Sequence, residues 1–428
     1  MARKPRIQTP TGMHDILPKD QPYYRKIYDV TDDIAKFYGF ERIDTPIVEN
    51  LELYERGTGT STDIVEKQMF TLKTRGGDNL ALRPEFTPGI TRSYIEHGMY
   101  NLPQPVKLYT YGQLFRYEHP QAGRFRQFNQ LDFEVFGEES PAIDAQMIQI
   151  FYAILSELKF KDLIIKINSI GDSQCRPYYR KVLSAFLKSN QYALCADCRR
   201  RMKQNPLRVL DCKEEKCQRI RSQAPQMIDH LNDECKRHFK SVLEFLDETE
   251  LPYHLDPYLV RGLDYYTKTV FEIYTEESSD EETDSQSALV GGGRYDTLMK
   301  QLGGRDTPGM GAAAGVERMV LEMKARGDIM RTSQPRVFLA QLGDIPKKKA
   351  LKLMEELRKA DIDVAESLGR DSLRVQLGRA DRIGVDLALI LGQKEALEES
   401  IVIRTMSTGK QDTVKLERVV TEIKKRLK

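Results

Sequence analysis

Hydrophobic and polar positions along the chain change rhythm three times. Residues 21–38 carry the amphipathic spacing of a helix, with Pro22 in its first turn and Gly39 just beyond its end. FERIDTPIVE, 40–49, alternates as a strand interrupted by Pro46, which suits an edge or bulge better than a central ladder. MFTLKT and NLALRPEFT predict a hairpin turning at Gly76-Gly77-Asp78. A helix is expected over 87–98, strands over 105–118 and 126–136, and a helix from Ser140 to Lys159 with a Ser-Pro-Ala start. Strands and hairpins in succession do not fit alternating β-α-β units.

The second regime runs from about 171 to 250, where the chain turns helical, basic and cysteine-containing. The third begins after Ser333-Gln334-Pro335. VFLAQL reads as strand, 346–360 as helix, DVAES as strand, 371–383 as helix and DLALIL as strand, the pattern of a mostly parallel α/β module. Between the two, residues 276–287 (EESSDEETDSQS) are too acidic and polar to bury themselves and read as a tolerated loop extension. At 428 residues the chain calls for two or three domains.

Net charge is only +2, but it is unevenly placed. Residues 331–428 hold 21 Lys and Arg against 15 Asp and Glu, and residues 171–240 hold 16 against 8. Two basic modules on an acidic body fit an enzyme that touches RNA through its appendages. No apolar run approaches the ~18 residues that span a bilayer. MARKPRIQTPTGMHD has no apolar core after its basic residues, so no secretory signal, no membrane partner and a cytoplasmic location are expected.

The densest chemistry lies in FRYEHPQAGRFRQFNQLDFE, Phe115–Glu134. Arg116, Arg124 and Arg126 stand on polar positions of the expected strands, with Glu118, Phe128 and Gln130 among them. Buried charges need partners, and guanidinium forks beside an aromatic face suit a nucleoside triphosphate. Two further segments join it: GMGAAAGVERMVL (Gly309–Leu321), carrying Arg318, and the pair LVRGLDYYTKTVFEIY with GGGRYD. Together these resemble the signature motifs of class II aminoacyl-tRNA synthetases, specifically the histidyl-tRNA synthetase family. The first resembles motif 2, the Gly309–Arg318 segment motif 3, and RGLDYY and GGRYD the two histidine-binding motifs. The helix and proline-bearing strand of 21–49 resemble motif 1, which implies a homodimer. The likeness runs from about Thr9 to the C-terminus.

The resemblance implies an α+β fold: an antiparallel catalytic sheet flanked by helices over 1–170 and 251–328, a helical insertion over 171–250 and a C-terminal α/β anticodon-binding domain over 329–428. It implies that histidine is activated with ATP to histidyl-adenylate, releasing pyrophosphate, and then passed to the 3′ end of tRNA-His. ATP and Mg²⁺ are the expected substrate and ion. Arg116 would meet the α-phosphate, Arg318 and Arg124 the polyphosphate, Phe128 the adenine face and Glu118 its amino group. Arg261 would stabilise charge at the reacting α-phosphate without acting as an acid. Glu134, Tyr266 and Tyr295 would take the imidazole nitrogens, and Glu85, Thr87 and Gln130 the α-amino group. Gln121 and Arg126 would help read the acceptor end. For the transfer step no side-chain base is evident, and the adenylate phosphate is the expected proton acceptor.

Cys195-x2-Cys198 and Cys212-x4-Cys217 could form a tetrahedral zinc site. The second spacing is loose for a ribbon, and reduced thiols are the favoured reading. A rival from another class is the histidine-binding regulatory subunit of ATP phosphoribosyltransferase, which shares the fold without aminoacylation. It would lack a module at 331–428 and would not need the motif 2 and motif 3 arginines.

Overall fold

The computed structural model describes residues 7–59, 62–121, 123–275, 288–329, 334–369 and 372–427. The acidic run 276–287 lies outside them. The chain divides into two compact units, Met1–Ile329 and Met330–Lys428.

The strands of the first unit are β1 (Glu41–Arg42), β2 (Val48–Asn50), β3 (Thr71–Lys73), β4 (Asn79–Leu82), β5 (Val106–Phe115), β6 (Gln127–Phe136), β7 (Leu163–Ser169), β8 (Tyr253–Leu255), β9 (Thr267–Thr275), β10 (Val290–Arg294) and β11 (Gly309–Gly315). Eight of them form one sheet in the order β1-β5-β6-β11-β10-β9-β7-β8. All its pairings are antiparallel except the two at the edges, β1 with β5 and β7 with β8. The expected strand over 40–49 is two short ones: Pro46 lies between β1 and β2, and β2 leaves for a separate sheet, β2-β4-β3. The hairpin at Gly77 is present, with Thr71 opposite Ala81.

One face of the large sheet is covered by the helices Gln21–Phe37, Pro141–Glu157 and Val316–Ala325. Ser140 caps the second, its Oγ accepting from the Ala142 N–H at 3.3 Å. Phe133 of β6 packs there against Phe40 and Phe151. Buried in the same layer is the ion pair of Asp144 and Arg294. Arg294 Nε lies 3.0 Å from Asp144 Oδ1, and its other nitrogens donate to the carbonyls of Glu138 (3.0 Å) and Ser140 (3.2 Å). Asp144 also accepts from Thr269 at 2.7 Å and lies 2.7 Å from His238 Nε2. The arginine of GGRYD is therefore a structural clamp tying β10 to the helix start.

Residues 172–250 are helical, as the composition predicts, with helices at Cys175–Ser189, Ala196–Gln204, Glu215–Arg221 and Asp233–Glu248. They bury their own core of Tyr179, Leu183, Leu187, Leu210 and five cysteines.

In the second unit β12 (Val337–Gln341), β13 (Val364–Glu366), β14 (Leu387–Leu391), β15 (Ser400–Thr405) and β16 (Gln411–Lys415) run in the order β13-β12-β14-β15-β16. The first three are parallel, as expected. The last two add an antiparallel hairpin, so the sheet is mixed rather than mostly parallel.

Candidate active site

Strand β6 sorts its side chains by the two-residue period of a pleated strand. Leu131, Phe133 and Val135 face the helices, and Asn129 binds Glu317 there through both its backbone and side-chain N–H, at 2.7 Å each. Phe128, Gln130 and Asp132 face the other way and line a cleft of ≈ 680 Å³, and Glu134 on the same face is fully buried beside Gly311 of the cleft wall. Only tiny residues fit beneath: a Cβ on Gly311 would overlap the Glu134 carboxylate, and one on Gly291 the Arg261 guanidinium. Gly311→Ala is therefore expected to cost about 1–3 kcal/mol by overpacking, read as a lowered urea midpoint with unchanged slope.

At one end of the cleft stand Arg116, Arg124 and Arg318. β5 ends at Phe115 and β6 begins at Gln127, so Arg116, Arg124 and Arg126 sit on the connecting loop, not on the strands as the sequence suggested. Arg116 is held by its Nε donating to the Pro84 carbonyl at 2.9 Å, and its guanidinium lies 5.2 Å from the Phe128 ring centroid. Arg318, on the first turn of the helix after β11, donates to the Ala288 carbonyl at 2.6 Å. Burial, then the like charges of Arg124 and Arg116, lower its pKa to about 10. With Arg116, Arg124 and Arg318 gathered in one place, this end suits a polyanion. Glu118 lines it with them.

The other end is carboxylates and phenols. The Tyr295 hydroxyl donates to Glu134 Oε2. Tyr265 donates to Glu85 Oε2 at 2.8 Å, and Thr58 donates to its other oxygen. Burial pushes the Glu134 carboxyl up to about 7, while the Thr87 and Tyr295 hydroxyls hold it down against that push. Burial and the neighbouring Glu134 charge raise Asp132 well above the carboxylate range. Glu85 is raised by burial as well.

Arg261 lies between the ends, its guanidinium 5.9 Å from the Tyr266 ring and paired with Glu272. Burial opposes its charge, but Glu272 and the surrounding tyrosines raise its pKa, so it is a fixed cation. Glu134 Oε1, Asp132 Oδ1 and Arg261 Nε are buried without a hydrogen-bond partner. Asp132 and Arg261 line the cleft, so polar atoms of both are within reach of a small polar ligand there.

The structure thus brings Arg116, Glu118, Arg124, Phe128, Gln130, Glu85, Thr87, Arg261, Tyr266 and Arg318 to one cleft, whereas Glu134 and Tyr295 are buried and bonded to each other behind its wall, Glu134 against the lining residue Gly311. It does not bring Gln121 and Arg126 there. Arg126 packs its guanidinium 3.9 Å from the Tyr117 ring, its backbone N–H donates to the Gly12 carbonyl at 2.7 Å, and Gln121 is exposed on the loop. Sequence reasoning missed Tyr265, Asp132, Glu272 and the insertion's rim, where Arg208 and Asp211 line the cleft and Arg208 pairs with Asp63 at 2.8 Å. Tyr265 and Asp132 sat inside recognised motifs; the partners of Glu272 and Arg208 are set only by the fold.

An antiparallel sheet carrying an arginine-lined nucleotide site on one face is the catalytic architecture of class II aminoacyl-tRNA synthetases. Residues 12–319 match the model of the histidyl-tRNA synthetase family, and 336–426 match an anticodon binding domain. A histidine–tRNA ligase of Dehalococcoides mccartyi is 42% identical over 98% of this chain and 100% of its own length. That of Aquifex aeolicus is 44% identical over 96% and 99%. Apo histidyl-tRNA synthetase from S. aureus superposes with a TM-score of 0.79 at 33% identity, covering 98% of this chain and 100% of its own. The chain belongs to the histidyl-tRNA synthetase family.

Proposed function

We infer that this protein activates histidine with ATP and transfers it to tRNA-His, and that it does so in the cleft described above. The observation that carries the reading is the pairing, in one cleft, of an over-charged arginine end with a carboxylate–phenol end, bridged by Arg261. The regulatory-subunit alternative leaves the arginine end without a purpose.

In the first step a histidine carboxylate oxygen attacks the α-phosphorus; the new O–P bond forms as the bond to the β-phosphate oxygen breaks and pyrophosphate leaves. Two anions must meet, so neutralising charge is the main demand. Arg116 and Arg261 lie where that charge develops, Arg124 and Arg318 hold the departing phosphates, and Phe128 covers the purine. Mg²⁺ would be held mainly by oxygens of ATP and water and would screen the phosphates, while Glu118 meets the adenine amino group. Glu134 and Tyr295 grip the imidazole, with Tyr266 beside them, and Glu85, Thr87 and Gln130 orient the α-amino group. The catalytic domain is 1–170 with 251–328, 171–250 is an insertion at the cleft's rim, and 329–428 meets the anticodon.

Gln121 and Arg126 stay on the exposed motif 2 loop, where an acceptor stem could reach them. A homodimer is supported by exposed apolar residues in the motif 1 region: Phe37 is 82%, Ile47 43% and Val48 40% exposed. Among the described residues no helix is long and apolar enough to cross a membrane, in keeping with work in the cytoplasm.

The test is charging: tRNA-His transcript should accept labelled histidine, and a tRNA-Pro transcript should not. Failure to charge any tRNA would remove the reading. A pH profile probes the pocket further. Above about 7 Glu134 is ionised and accepts the ring N–H well; below, protonation weakens it. kcat/KM for histidine should fall on the acid side of that value. Glu134→Gln should lose about 10–200-fold in kcat/KM, from the ~1.5–3 kcal/mol of a charged hydrogen bond. It should keep only the limb due to free histidine's own ionisation.

A further inference from the structure

The four insertion cysteines, separated by up to 22 positions, meet in one place. All four Sγ atoms lie within 4.8 Å of one another, and those of Cys195 and Cys212 are 3.9 Å apart. A tetrahedral Zn²⁺ with Zn–S bonds of about 2.3 Å sets its sulfurs about 3.8 Å apart. Cys198, Cys212 and Cys217 are buried and Cys195 half-buried. Two backbone N–H groups already point at sulfur: Cys195 N–H donates to Cys217 Sγ at 3.2 Å and Cys198 N–H to Cys195 Sγ at 3.3 Å. Such donors offset negative charge on thiolates, and the second also caps the helix Ala196–Gln204.

The surrounding structure needs a fastener. The segment holds helices of only 9 and 7 residues, Ala196–Gln204 and Glu215–Arg221, joined by a turn at Pro206–Val209. Helices this short are not stable by themselves. Yet between the two cysteine pairs stand Arg201 and Arg208, both bound to Asp63 (2.9 and 2.8 Å), and Asp211, which lines the active-site cleft.

We propose that Cys195, Cys198, Cys212 and Cys217 bind one structural Zn²⁺, and that this ion fixes the cleft-facing turn carrying Arg208 and Asp211. Four thiolates in a closed tetrahedral set leave no open position, so the ion takes no part in the chemistry.

The proposal is tested on the full-length protein purified without chelator. Elemental analysis should find about one zinc per chain. Protein prepared with Co²⁺ should show thiolate-to-cobalt charge-transfer and tetrahedral d–d absorption. A Cys198→Ser, Cys212→Ser variant should lose both, and metal removal from the wild type should open protease cleavage between residues 190 and 224. Zinc well below half an equivalent together with absent cobalt bands would overturn the proposal. So would full zinc retention by the double variant, which would place the ion elsewhere.

Discussion

Arg261→Ala should lower the rate of histidine-dependent ATP–pyrophosphate exchange by about 10²–10³, with a much smaller change in KM for ATP. Removing one fixed donor from the point where transition-state charge develops costs about 3–4 kcal/mol. Two features make Arg261 more than a binding residue. It sits between the two ends of the cleft, and Glu272 holds it charged against burial. Its Nε is buried and without a hydrogen-bond partner, so one donor is unspent. The same substitution strands Glu272, whose other partner is the Tyr274 hydroxyl. Arg261→Ala combined with Glu272→Gln separates the effects. If the double variant regained most of the rate, Arg261 would serve to hold Glu272 rather than to stabilise the reacting phosphate. Arg261→Lys should recover little, because an ammonium cannot reproduce the guanidinium fork.

The second large effect falls on stability. Arg294→Met should destabilise the folded protein by about 3–5 kcal/mol, because it leaves a buried Asp144 carboxylate short of its cation. Both side chains are fully buried, at 0% exposure. Arg294 holds the Asp144 carboxyl below its usual range against the pull of burial, and His238 helps. A depressed carboxyl stabilises the fold above its unfolded pKa, and that contribution fades as pH falls through the lower folded value. The wild type should therefore lose this share of stability only in acid, whereas Asp144→Asn with Arg294→Met should show no such loss. Urea titrations at neutral and acid pH read the difference. A single Arg294→Met variant as stable as wild type would contradict the clamp.

Much of the first unit was legible because period and punctuation agreed. Pro22 and Gly39 bracket the helix Gln21–Phe37. The strand expected over 126–136 is β6, Gln127–Phe136, and the resemblance to motif 2 singled out Phe128, Gln130 and Glu134 on it. Arg116 and Arg318 were legible as chemistry, because charge of that density has few structural uses. Arg294 was not, since its partner lies 150 residues away and RYD reads equally well as a site or a clamp. Tyr265 and Tyr266 are neighbours, and only the turn before β9 decides that Tyr265 reaches Glu85. Spacing could not say whether the two cysteine pairs met, because loop closure between them depends on the turn at Pro206–Val209. In the second unit SIVIRT and QDTVK alternate weakly, and with Gly409 in a left-handed turn they make the antiparallel hairpin that turned a parallel reading into a mixed sheet.

The account stands most directly on histidine-dependent ATP–pyrophosphate exchange, run beside proline and threonine and without tRNA. Exchange with histidine alone is the result it predicts. No exchange with any amino acid, while calorimetry still registers histidine binding, would contradict it and leave a histidine-binding protein on a synthetase fold.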